Sequence, residues 1–79
     1  MIEKQLRDET EKWLGKIKKE IKDVRVERSK ENFLKNINAY ISDCEYYLKQ
    51  KKLILAFEAV IWAWSWLTIL KELGIIKTA

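Results

Sequence analysis

The chain has 79 residues and a mass of 9.5 kDa, with 16 Lys or Arg against 12 Asp or Glu, no His, no Pro, two Gly and one Cys. A domain of this length hides only about 60% of its unfolded surface on folding, so it leans on tight packing or on a partner chain. One Cys excludes an internal disulfide and a Cys/His zinc site, the lack of His removes the usual general base at neutral pH, and two Gly are too few for a phosphate-cradling loop.

The net charge of +4 and a pI near 9.2 raise nucleic acid and anionic lipid as partners. The excess is spread evenly, however. Residues 1–31 carry ten basic and eight acidic side chains and residues 32–79 carry six and four, a net of +2 in each part. No secretory leader opens the chain, and a lone Cys fits a reducing compartment, so a cytoplasmic protein is expected.

Every long segment has helical spacing, and no Val/Ile/Thr-rich alternation argues for strands. The first predicted helix spans about residues 2–27, with Ile2, Leu6, Trp13, Ile17, Ile21 and Val24 as its apolar stripe and Thr10 bridging the gap. Its acids come early and its lysines late, as the helix dipole favours. Gly15 within it marks either a close contact or a weak point, at about 1 kcal/mol relative to Ala.

Ser29 is a candidate N-cap for a second helix over about 30–49, with Phe33, Ile37, Tyr40, Ile41, Cys44, Tyr47 and Leu48 on one stripe. The polar run Lys49-Gln50-Lys51-Lys52 ends it.

The third helix, about 53–73, is apolar over an arc too wide for an ordinary amphipathic helix. At 100° per residue the arc runs from Ile69 and Trp62 through Ala59, Ala63 and Val60 to Phe57. The polar slice holds Glu58, Ser65, Thr68 and Glu72, with Ile54 and Ile61 among them. Ala56, Ala59 and Ala63 leave room for a neighbouring helix to come close, and Gly74 is a suitable C′ terminator before Ile75 and Ile76, which can fold back on the last turn. Helices of roughly 40, 30 and 30 Å joined by short polar turns form an all-α, up-down-up three-helix bundle, in one domain over residues 1–79.

Residues 53–70 also sit at the lower edge of a membrane-spanning candidate. Glu58 lies inside that stretch, at a few kcal/mol if ionised in lipid. Trp62, Trp64 and Trp66 lie mid-segment rather than in two interfacial belts, and the first two helices need an apolar partner. A buried core helix, and no membrane, is the preferred expectation.

Three further constellations carry possible chemistry. Asp43 and Glu45 point about 200° apart on one helix, and Glu58 lies beyond the turn, which favours solvated or paired side chains over a metal or acid–base site. Lys18, Lys22 and Arg25 form a basic stripe, with Arg28 and Lys30 in the adjoining turn and Lys71 and Lys77 brought near by the bundle. Such an end can track a phosphate backbone, yet Glu20, Asp23, Glu27 and Glu31 interleave with it as in a solvated, ion-paired helix. Cys44 occupies a stripe position as a small core residue.

From Asn38 to Ile76 the pattern resembles an archaeal family known as domain of unknown function 357. The matching stretches are Tyr40–Leu48 (YISDCEYYL), Ala56-Phe57-Glu58-Ala59-Val60, Trp66-Leu67 and Leu73-Gly74-Ile75. Ser65 and Thr68 stand where the family pattern has Gly and Asp, and Lys51-Lys52 where it has a glycine-containing turn. The resemblance implies an archaeal, all-helical protein and brings no activity; family members that look like companions of nucleotidyltransferase-type domains hint at an accessory role.

The surplus apolar arc of the third helix is the sharpest signal, because a three-helix monomer leaves part of it wet. The expectation is a non-enzymatic protein–protein interaction module, most simply a homodimer through the third helix, with Phe57, Trp62, Trp64 and Trp66 as contact candidates. No cofactor, metal or small-molecule ligand is expected. The alternative is a nucleic-acid-associated accessory protein using Lys18, Lys22, Arg25 and Arg28.

Overall fold

The computed structural model describes residues 1–78. Three α-helices, α1 (Ile2–Ile21), α2 (Glu31–Lys49) and α3 (Leu53–Glu72), are accompanied by two short strands, β1 (Val24–Val26) and β2 (Ile76–Thr78), and a single 3-10 turn at Arg28–Lys30. Trp13 meets Trp64 and Glu20 meets Lys71 at the same separation of 51 residues, so α1 and α3 run parallel. Lys18 meets Glu45 on α2, which runs back antiparallel, and α3 packs against both other helices. The result is the up-down-up bundle, 42 Å long and 17 Å across.

The core is built from the predicted stripes. Ile17, Ile37, Val60, Leu67 and Leu70 are fully enclosed, and Ala56 and Ala63 are buried where α3 comes close to its neighbours. Thr10 bridges the α1 stripe as a buried residue, its hydroxyl donating to the Leu6 carbonyl at 2.7 Å. At its N-terminal end the α1 stripe leaves the core, where Ile2 is exposed.

Both helix C-termini that lead into short turns close in the same way. After α2, the Lys51 N–H donates to Leu48 and the Lys52 N–H to Tyr47; after α3, the Gly74 N–H donates to Lys71 and the Ile75 N–H to Leu70. These are paired Schellman bonds, which need a left-handed residue at C′. Gly74 supplies it at φ 72° without strain, whereas Lys51 is held at φ 59°.

Three expectations are corrected. The first helix stops at Ile21 rather than running to 27, because Val24-Arg25-Val26 leaves the helix and pairs antiparallel with Ile76-Lys77-Thr78. Val at alternate positions suits a pleated strand, and the pairing provides a place to bury Ile76. Ile75 and Ile76 thus do more than cover the last turn of α3. Ser29 does not cap α2; it lies in the 3-10 turn, and α2 begins at Glu31 with no side-chain cap.

Candidate interaction surface

The wide apolar arc of α3 divides into two halves. One half, with Ala56, Ala59, Val60, Ala63, Leu67 and Leu70, packs inside the bundle. The other faces outward with large apolar side chains still on it: Ile54 is 69% exposed, Trp62 54%, Ile69 49%, and Leu55 and Ile61 43% each. They repeat at sevens, as Ile54-Ile61 and Leu55-Trp62-Ile69, with Glu58, Ser65 and Glu72 forming a third row between them.

Trp62 joins this face to α2. Its ring stacks on Tyr40 with centroids 6.4 Å apart and planes inclined by 19°. Because the two helices run antiparallel with equal rise, this stack also sets Phe33 level with Ile69, and Tyr47 level with Leu55. Phe33 is partly exposed, and Tyr46, in a T-shaped pair with Tyr47, is more so. Aromatic and aliphatic side chains therefore follow the α2–α3 seam for most of its length. At the far end, a groove of about 380 Å³ lined by Ile2, Leu6, Ile54 and Leu55 extends it towards the first turn of α1.

The four aromatic contact candidates separate. Trp62 is outward. Trp64 turns inward, its indole N–H donating to the Trp13 carbonyl at 3.1 Å and its ring meeting Trp13 edge-on at 5.7 Å. Trp66 is half-buried against the core, and Phe57 is likewise half-buried. Ile54, Ile61 and Ile69 are exposed, with half-buried Tyr40 beside them, and none of the four was among the interface candidates. The spacing by sevens along α3 is a sequence signal that could have found the three isoleucines.

The basic candidates also separate. Lys18 is engaged with Glu45 of α2 at 2.8 Å, and Lys71 with Glu20. Arg25 and Lys77 lie directly opposite each other on the two strands, both exposed. Lys22 and Arg28 are exposed beside them, with Lys30 4.0 Å from Glu27.

No group of three metal-ligating side chains occurs among the described residues. Asp43 and Glu58 are exposed, while Glu45 is taken by Lys18. Cys44 is fully enclosed, and burial, followed by the nearby Glu45 carboxylate, pushes its thiol up to about 11. A thiol held neutral in this way is a packing residue.

The family described as "Protein of unknown function (DUF357)" matches residues 8–76. The chain belongs to this family. The match takes in α1 as well as the α2–α3 hairpin that carried the resemblance. A solved relative, the crystal structure of protein AF1782 from Archaeoglobus fulgidus, also in DUF357, is 43% identical and superposes with a TM-score of 0.93 over 100% of both chains. Among curated proteins, none matches the chain.

Proposed function

We propose that this DUF357 protein is a non-enzymatic, cytoplasmic protein–protein interaction module that associates with a second copy of itself through the outer face of α3 and the adjoining edge of α2. The observation that carries the reading is the exposed heptad array of Ile54, Leu55, Ile61, Trp62 and Ile69 beside the Tyr40–Trp62 stack. An apolar arc wider than an ordinary amphipathic stripe needs cover on more than one side, and here the chain itself encloses only one half. Exposed aromatic and aliphatic rows on either side of the polar row of Glu58, Ser65 and Glu72 make a surface of the kind that marks a protein interface. No cofactor, metal or small-molecule ligand enters this reading.

By length and composition α3 could cross a bilayer, and only a third of its apolar window is buried inside the bundle. Glu58, Ser65 and Glu72 share the outward face that lipid would cover. Ionised carboxylates there would each cost a few kcal/mol in hydrocarbon, whereas a protein partner can offer them hydrogen bonds or cations.

Size-exclusion chromatography with light scattering on detergent-free protein tests the proposal. A mass of twice 9.5 kDa, free of absorbance from nucleic acid, is the expected result. A monomer at high concentration, or a protein that stays in solution only with detergent, would refute it.

One observation favours a second reading, an accessory protein for nucleic acid. Like charges directly opposite on adjacent strands destabilise a ribbon, and Arg25 and Lys77 are such a pair. A phosphate between them would relieve the repulsion. Binding of a duplex probe that weakens steeply from low to moderate salt, and that is lost when Arg25 and Lys77 are replaced, would mark this reading.

A further inference from the structure

We propose that the groove between the first turn of α1 and the α2–α3 turn seats a short apolar segment of a partner protein that carries a carboxylate, which Lys51 and Lys52 hold. This adds a second, unlike partner to the interaction module and does not depend on self-association.

Lys51 is the residue out of place. The turns after α2 and α3 carry the same pair of Schellman bonds, and each needs a left-handed C′ residue. After α3 that residue is Gly74, at φ 72°; after α2 it is Lys51, at φ 59°. A Cβ in that region costs stability that glycine would return. Backbone held in this way persists where the side chain is used, as in ligand clamps.

The Lys51 side chain lines the groove of about 380 Å³, with exposed Lys52 beside it. Ile2 and Leu6 of α1 and Ile54 and Leu55 of α3 make its apolar walls. A second groove of about 320 Å³, lined by Arg7 and again by Glu3 and Lys51, continues it round the end of the bundle. Among the described residues neither Lys51 nor Lys52 has a carboxylate partner, whereas Lys4 is held by Asp8 at 2.9 Å. Glu3 is the one carboxylate in the two linings, against Arg7, Lys51 and Lys52, so the apolar seat lies in a positive field.

An apolar seat beside two free cations calls for an amphipathic anion. A small molecule would stay wet here: Ile2 is 80% exposed and Ile54 69%, whereas small-molecule sites enclose about 70–90% of their ligand. A planar, anionic lipid surface would meet Glu3 and leave the concave floor unfilled. An extended chain segment fills the groove with side chains, offers backbone N–H groups to Glu3, and sets its carboxylate on two lysines as a charge-assisted contact.

Fluorescence anisotropy tests the site, using labelled hexapeptides of Leu, Phe, Asp and Glu, each matched by its Asn and Gln counterpart. The acidic member of a pair should bind on the order of tenfold more tightly. Lys51→Gly should weaken that binding about threefold to tenfold while raising the melting temperature, a combination that a purely structural Lys51 would not produce. Lys51→Arg should keep the binding, Ile2→Asp should abolish it, and Lys35→Gln, at an exposed position outside the groove lining, should leave it unchanged. Acidic and amide peptides bound alike or not at all would overturn the proposal, as would acidic binding untouched by Lys51→Gly. So would capture of the protein by phosphatidylserine vesicles through Lys51 with no peptide bound. Sedimentation of the wild type beside these titrations reports self-association separately, so either reading can fail alone.

Discussion

The indole N–H of Trp64 donates to the backbone carbonyl of Trp13, 3.1 Å away, and the two rings meet edge-on. Trp62, two residues earlier, points to the other side of the same helix and stacks on Tyr40 at the surface. The two tryptophans thus divide the work of α3, one fastening α1 to the bundle and the other presenting the outward face. Trp64→Ala should cost about 3–5 kcal/mol, through lost packing and the lost hydrogen bond to the Trp13 carbonyl. Trp62→Ala should cost the isolated chain about 1 kcal/mol or less, the worth of an exposed aromatic pair. Urea unfolding at a concentration where the chain is monomeric compares them directly.

Gly15 lies exposed in mid-helix, and a Cβ added there would meet no atom within 4 Å. It is therefore the weak point of α1 and not a close contact. Gly15→Ala should stabilise the fold by about 0.5–1 kcal/mol, visible as a raised melting temperature. Lys51→Gly should stabilise it by about 1 kcal/mol, because it removes a left-handed lysine from a Schellman turn. Gly74→Ala should do the opposite, with φ at 72°.

The three helices, the turn after Lys49 and the Gly74 stop were legible because each rests on local rules: apolar spacing, a polar break, a left-handed C′ residue. The β1–β2 ribbon was not. Val24 continues the stripe of Ile17 and Ile21 in helical phase, and only Val26, two residues on, departs from it. What decides between helix and strand there is the pairing with Ile76-Lys77-Thr78, about fifty residues away, which no local pattern contains. The candidate surface was half legible for a related reason. The sequence shows how wide the apolar arc is, but the choice between Trp62 and Trp64 depends on where α1 lies.

Cys44 gives a pH signature. Its pKa is raised in the folded protein to about 11 by burial, so the neutral thiol is favoured by folding. The stability it contributes is whole below the ordinary thiol pKa and falls as pH rises from there through 11. The wild type should therefore lose stability faster than Cys44→Ala between about pH 9 and 11. Over the same range, a thiol reagent should label Cys44 only at the rate of unfolding, checked by mass spectrometry with and without urea.

Across the ribbon, Lys77→Glu places an opposite charge before Arg25. It should stabilise the fold by about 0.2–1 kcal/mol, read as a shift in the urea midpoint that shrinks with added salt. Any binding of a nucleic-acid probe by this end should fall in the same variant.

The most direct test of the interaction surface is sedimentation velocity on Trp62→Glu, with its circular dichroism and melting curve recorded alongside. The expected result is a folded monomer under conditions where the wild type is a dimer, since Trp62 is half exposed on the outward face and is not one of the buried core residues. A Trp62→Glu chain that sediments as the same dimer as the wild type would contradict an interface on this face.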